Sequence, residues 1–215
     1  MADSMILFDL DGTLVDSRAD LAAAVNRMRG DHGLAPLPFE TVITFVGNGI
    51  TALVERSLGD ARGDISMPKA VDGMRAHYMA HLLDNTQLYP GVVEALTTIE
   101  GLGYPMAVVT NKPEAPAREI CQVLGIADFF DSIVGGDTFP VLKPEPDPLL
   151  GALKQSDCSP AGSWMVGDNY TDLASGAAAG LSCCFCRYGF GDPRQERFAI
   201  AIDALPELSS HLRTL

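Results

Sequence analysis

The sequence predicts an α/β fold: a doubly wound parallel sheet carrying an inserted all-helical domain. Three observations predict it. Short apolar runs stop abruptly at polar residues, helical periodicity follows them, and the strand signal vanishes over one long stretch.

The first run, Met5-Ile-Leu-Phe8, ends in Asp9-Leu-Asp-Gly-Thr13, as a buried strand does on reaching a polar site. Met106-Ala-Val-Val109 ends in Thr110-Asn111, Ser132-Ile-Val-Gly135 in Gly136-Asp137, and Trp164-Met-Val-Gly167 in Asp168. Leu181-Ser-Cys-Cys-Phe185 supplies a fifth strand. Alternation of such strands with helices gives right-handed βαβ units and a parallel sheet. The helices carry their own signals: Ile120, Val123 and Leu124 share a face ahead of a capping Gly125, and Leu173, Ala177 and Gly180 repeat the pattern.

Between Ser17 and Tyr89 three apolar stripes at helical spacing replace the strands. They are Leu21, Val25 and Met28, then Ile50, Leu53, Val54 and Leu58, then Val71, Met74, Tyr78 and Leu82. Residues 17–88 are therefore expected to form the inserted helical domain, closed by Tyr89-Pro-Gly91, with 1–16 and 89–215 as the core.

The chain has 215 residues, 47% hydrophobic and 20% charged, enough apolar material for a sizeable core. A formal net charge of -13, with no run of Lys or Arg, sets it against nucleic acid and anionic membrane as partners. A small anionic substrate then needs locally concentrated positive groups or a metal. No apolar stretch approaches the roughly 20 residues of a membrane span and the N-terminus lacks a secretory pattern, so a cytoplasmic location is expected. Cys121, Cys158, Cys183, Cys184 and Cys186, an odd count without the paired CxxC spacing of a zinc site, read as free thiols.

Parallel α/β sheets bind ligands at the carboxyl ends of their strands, and polar groups collect at four of them: Asp9 and Asp11, Thr110 and Asn111, Lys143, and Asp168 with Asp172. Converging carboxylates repel, so a divalent cation is expected; oxygen-only donors suit Mg²⁺, with Asp9 and Asp168 as direct ligands. Asp9 and Asp11 alternate along an extended chain, so Gly12 must break the strand before both can address one site. One carboxylate then faces metal and phosphorus while its neighbour reaches the leaving-group oxygen. Thr110 and Asn111 sit at a strand-to-helix junction suited to a phosphoryl oxygen, although alone they also read as a helix N-cap. Lys143, in the stiff Lys-Pro-Glu-Pro146 loop, adds a positive charge.

Blander readings of these motifs fail or stay bland. A calcium loop counted from Asp9 needs Gly and Glu where this chain has Leu14 and Asp20. His77 and His81 are four residues apart but lack the Glu of His-Glu-x-x-His, and read as helix surface.

Together these residues resemble the four motifs of the haloacid dehalogenase superfamily across nearly the whole chain. Asp9-Leu-Asp-Gly-Thr-Leu-Val-Asp16 is similar to the first motif, Thr110-Asn-Lys112 to the second, Lys143-Pro-Glu-Pro146 to the third and Gly167-Asp-Asn-Tyr-Thr-Asp172 to the fourth. The resemblance implies a Rossmann-like core with a cap of the C1 class. Within the superfamily, Val46-Gly-Asn-Gly49, Glu55-Arg56, Val109-Thr-Asn-Lys-Pro113, Gly135-Gly-Asp137 and Lys143-Pro-Glu-Pro-Asp-Pro-Leu149 are closest to the bacterial phosphoglycolate phosphatases.

That likeness implies a Mg²⁺-dependent phosphomonoesterase acting on a small metabolite, 2-phosphoglycolate above all, as a monomer or homodimer. It implies Asp9 as nucleophile, Asp11 as general acid/base, and Lys143, Thr110 and Asn111 around the phosphoryl group. The metal would be held by Asp9, Asp168 and the backbone carbonyl of Asp11, with Asp172 orienting them. Gly47, Asn48 and Gly49 would meet the substrate from the cap with Arg56, though they read equally as a helix cap and a surface arginine. Asp11 argues against a dehalogenase, which protonates no alkoxide; a phosphosugar mutase shares all four motifs, and a non-catalytic phosphate-binding module shares the fold.

Overall fold

A computed structural model of the chain describes residues 4–214. The apolar runs form strands because both faces of each are buried. Strand β1 (Ile6–Phe8) pairs in parallel with β4 (Met106–Val109) on one side and β6 (Trp164–Gly167) on the other. Beyond them lie β5 (Ser132–Val134) and, on the opposite flank, β7 (Ser182–Cys186) and β8 (Ile200–Ile202). The order is β5-β4-β1-β6-β7-β8. The chain runs outward from β1 to β5, crosses back to β6 and runs outward again, so the reversal beside β1 opens the crevice in which ligands of such sheets bind.

Strand alternation divides the core. Ile6, Phe8, Met106, Val108, Trp164 and Val166 belong to one cluster, whereas Met5, Leu7, Ala107, Val109 and Met165 belong to another. The first is continuous with the insert: Leu21, Val25 and Met28 of α1 (Arg18–Asp31), Leu53 and Val54 of α3 (Gly49–Leu58), and Met74 and Tyr78 of α4 (Met67–Ala80) all join it. Short α2 (Phe39–Ile43) adds Val42. The three predicted insert stripes thus point inward.

Two-residue strands β2 (Val15–Asp16) and β3 (Gln87–Leu88) pair antiparallel where the chain leaves for the insert and returns. Neither was expected, and β3 falls inside the stretch assigned to helix. Two residues are too few to show an alternation. The remaining helices, α5 (Val92–Gly101), α6 (Glu114–Val123), α7 (Asp147–Gln155), α8 (Tyr170–Ala179) and α9 (Leu205–Leu212), pack around the sheet.

Three further expectations need correction. Val123 does not share the buried face of α6: it is 63% exposed, and Ala117, Ile120 and Cys121 are buried instead. The fifth predicted strand begins one residue later, at Ser182, because Gly180 (φ 79) is the left-handed cap of α8 and Leu181 belongs to the turn. Ala177 and Gly180 do not share the buried face of α8 with Leu173: both are exposed, and Gly176 and Ala179 are buried instead. β8 and α9 gave no clear pattern. His77 and His81 pair with Asp31 and Asp84, and no helix among the described residues is long and apolar enough to cross a membrane. Four of the cysteines are buried as free thiols, and Cys158 is partly buried.

Candidate active site

The Asp9 amide still donates to the Val166 carbonyl at 2.9 Å, so Asp9 leaves the sheet edge in strand register. The chain then turns. The Leu10 carbonyl accepts from the Thr13, Leu14 and Val15 amides, and Gly12 adopts φ 88, a region that favours glycine. A Cβ at Gly12 would collide with the Asp168 carboxylate, so the Asp11–Gly12 backbone lies directly against Asp168. This turn lets Asp9 and Asp11 line the same cavity, which Thr110, Asn111, Asp168 and Asn169 also line.

Behind Asp9 lies Lys143, 2% exposed. Its Nζ is 3.0 Å from Asp9 Oδ1, 2.6 Å from Asp172 Oδ1, and donates to the Val109 carbonyl at 2.6 Å. Burial disfavours the ammonium, but Asp172 and Asp9 outweigh it and hold Lys143 above the ordinary lysine range. Asp172 starts α8: its Oδ2 accepts the Asn169 amide while Asn169 accepts the Thr171 amide, a reciprocal capping box. Burial pushes Asp172 up to about 6 against the opposing pull of Lys143. Burial, then Asp172 and Asp9, push Asp168 well above the carboxylate range. Asp168 Oδ2 accepts the amides of Phe190 at 2.9 Å and Gly191 at 2.7 Å. Asp9, Asp168 and Asp172 each offer an oxygen within 4.8 Å of the others. Three buried carboxylates facing one ammonium leave uncompensated negative charge, and an all-oxygen donor set suits a hard divalent cation.

Asn111 acts as a clamp. Its amide nitrogen donates to the carbonyls of Gly47 and Lys143 at 3.0 and 2.9 Å, and its oxygen accepts the Lys143 amide at 2.9 Å. The side chain expected at a phosphoryl oxygen is therefore fully engaged in joining the insert to the loop that carries Lys143. The Thr110 hydroxyl accepts the Lys112 amide at 3.3 Å. Gly47 and Gly49 reach the cavity wall, with φ 111 and 82, while Asn48 donates to the Tyr170 hydroxyl at 2.6 Å. Arg56 is not brought to the cavity: its guanidinium donates to the Phe45 carbonyl and is exposed.

Two contributions were missed. Lys112 Nζ lies 2.8 Å from both oxygens of Asp11 and 2.6 Å from the Tyr78 hydroxyl, which arrives on α4 of the insert. The segment after β7 sends the Tyr188 hydroxyl to the Thr13 carbonyl and lays Phe190 on the cavity wall. A lysine beside Thr110-Asn111 in so acidic a chain, and Gly189-Phe-Gly191 after a strand, were the available signals.

Residues 6–186 match the family model described as haloacid dehalogenase-like hydrolase. The chain belongs to that family. Within these hydrolases it is 40% identical over 207 residues to a phosphoglycolate phosphatase of Chromobacterium violaceum, covering 94% of this chain and 93% of that one. It is 36% identical over 216 residues to a plasmid phosphoglycolate phosphatase of Cupriavidus necator, covering 97% and 94%. Among solved structures, a predicted phosphoglycolate phosphatase from Haemophilus somnus superposes with a TM-score of 0.90 at 28% identity, over 99% of each chain. As a haloacid dehalogenase-like hydrolase the chain is an enzyme, and its six-stranded parallel sheet with helical insert is the fold of its structural neighbours.

Proposed function

We propose that this hydrolase is a phosphoric monoester hydrolase whose substrate is 2-phosphoglycolate and whose nucleophile is Asp9. The observation that carries the reading is the meeting of Asp9, Asp11, Thr110 and Asp168 on one cavity with Lys143 directly behind Asp9. The phosphoglycolate phosphatases that match over nearly their full length support 2-phosphoglycolate as the substrate.

Asp9 attacks phosphorus in line, the ester P–O bond breaks and an aspartyl-phosphate forms. Asp11 gives a proton to the departing alkoxide, then takes one from the water that attacks the aspartyl-phosphate, releasing phosphate and restoring Asp9. Lys143 and the Thr110 hydroxyl offset charge on the phosphoryl oxygens, with Asn111 contributing its backbone amide. Asp172 orients Lys143, which it contacts at 2.6 Å. Asp9, Asp168 and the Asp11 carbonyl would hold Mg²⁺, which when bound neutralises charge on the phosphoryl group. The cap side meets the leaving group through Gly47 and Gly49; Arg56 is left out because its guanidinium is bound to Phe45 outside the cavity. Residues 17–88 act as the cap domain over a core of 1–16 and 89–215.

Inorganic phosphate released from 2-phosphoglycolate with Mg²⁺, measured against a panel of small phosphomonoesters, tests the substrate. Asp9→Asn should lower kcat on the order of 10⁴-fold or more, as loss of a nucleophile does elsewhere, while circular dichroism stays native. Full activity in that variant would overturn the assignment of Asp9.

A further inference from the structure

The cavity wall contributed by the insert is apolar, built from Leu21, Ile50, Leu53 and Met74. Among the residues lining this cavity, Lys112 is the single lysine or arginine. Its side chain is 3% exposed and that of Asp11 12%. Both oxygens of Asp11 are engaged, Oδ1 by the Ser17 hydroxyl at 2.6 Å and by Lys112, Oδ2 by Lys112. Lys112 engages both carboxyl oxygens, so Asp11 can turn to a leaving group only when Lys112 is drawn off. A leaving group bearing a carboxylate needs a counter-charge when it enters a dry apolar pocket, and Lys112 is the one the wall provides.

We propose that Lys112 exchanges partners during the reaction: it holds Asp11 in the free enzyme and takes the carboxylate of the leaving group when substrate enters, freeing Asp11 to take up a proton from solvent and pass it to the ester oxygen. This rests on the phosphatase reading above. Tyr78 assists. Its hydroxyl accepts from Lys112 at 2.6 Å, which leaves its own proton for a second acceptor, and Lys112 sits 4.5 Å from its ring centroid. Burial opposes the charge on Lys112, but Asp11 and Tyr78 outweigh it and keep the ammonium protonated. The exchange ties selection to chemistry: an ester with a neutral leaving group leaves Lys112 on Asp11 and reacts slowly even when it fits.

The test compares 2-phosphoglycolate with its amide, in which a carboxamide of nearly the same shape replaces the carboxylate. Wild type should prefer the acid in kcat/KM by on the order of 10- to 100-fold, the range of one charge-assisted contact. Lys112→Met should remove most of that preference. Tyr78→Phe, which keeps Lys112 and the ring, should reduce it about threefold to tenfold and covers the case in which Lys112→Met fails to fold. Arg75, exposed in an adjoining depression, is the control, and Arg75→Met should leave the ratio as it is. Equal loss on both esters in Lys112→Met, with the ratio intact in Tyr78→Phe, would overturn the exchange and leave Lys112 a brace for Asp11. A ratio that falls in Arg75→Met instead moves recognition to the rim and also overturns it. Wild type that hydrolyses neither ester sinks the assignment of 2-phosphoglycolate as substrate, and this inference with it.

Discussion

At the sheet end of the cavity Asp9, Lys143, Asp168 and Asp172 pack four ionisable groups at or near full burial, each fixed by a strand end, a capping box or a backbone amide. At the insert end the wall is aliphatic and a single ion pair, Lys112 with Asp11, stands in it. A phosphoryl group in transfer looks much the same whatever ester it came from, so its site gains most from rigid, pre-oriented charge. A leaving group is what distinguishes one ester from another, and a dry wall with one cation discriminates by refusing whatever cannot satisfy that cation. The sheet end thus serves any ester, and the insert end makes rate conditional on choice.

The strongest way to break this comparison is at Lys143. Its side chain is 1% exposed between Asp9 and Asp172, so Lys143→Met leaves buried carboxylates facing one another. Removing one partner of such a pair should cost about 3–5 kcal/mol, read as a lowered urea midpoint with unchanged slope. Phosphate release should be nearly abolished. Adding Asp172→Asn should restore part of the stability and none of the activity, because the charge at Asp9 stays unmet. A variant of wild-type stability would mean that the sheet end is not held together by charge.

That end was also the more legible. Asp9, Asp11, Thr110, Asp168 and Asp172 each stand within a few residues of an apolar run of strand length, so a parallel sheet brings them to one edge. Lys143, well beyond β5, is instead set by the loop that Asn111 holds. The insert end was legible as helices but not as a surface. Met74 and Tyr78 share a stripe that reads equally as core, and nothing in the spacing says that Tyr78 turns its hydroxyl toward Lys112 across 34 positions. Asn111 shows the same limit: its residue type suited a phosphate, yet its partners are the backbones of Gly47 and Lys143, which local sequence does not bring near. Asp20 was met in the sequence only as a failed calcium-loop position, whereas it ties the insert shut.

The insert end should therefore be the easier to loosen without touching chemistry. Asp20, 1% exposed on α1, accepts from the Asn85 amide and side chain and from the Thr86 amide and hydroxyl at 2.7–2.9 Å, joining the start of the insert to its return. Asp20→Asn should cost about 2 kcal/mol, since hydrogen bonds to a charged acceptor are worth about 1.5–3 kcal/mol and the amide keeps part of the set. Burial raises the Asp20 pKa, but the donors of Asn85 and Thr86 outweigh it and set it below 3.8. A folded pKa below the unfolded one means that the contribution is full above the unfolded value and lost as pH falls through the folded value. The stability gap between wild type and variant should stay constant from about pH 5 upward and close below about pH 4. KM should rise more than kcat falls, which sharpens the division between the two ends.

The smallest expected effect is at Arg56, and it is the most pointed. An arginine on a helix that begins at a glycine-rich loop is a natural candidate to grip a carboxylate, and sequence alone admitted it. Arg56, however, stands in the last turn of α3, about two turns from that loop. The guanidinium instead donates to the Phe45 carbonyl at 3.0 Å on an exposed face, away from the cavity. Arg56→Ala removes a surface hydrogen bond, so stability should shift by no more than about 0.5 kcal/mol and kcat/KM for 2-phosphoglycolate by less than about twofold. A tenfold rise in KM at unchanged stability would reverse the comparison, because the leaving group would then be read by an exposed arginine rather than by the buried cation that also holds Asp11. Choice and rate would lie on separate residues, and no exchange at Lys112 would be needed to join them.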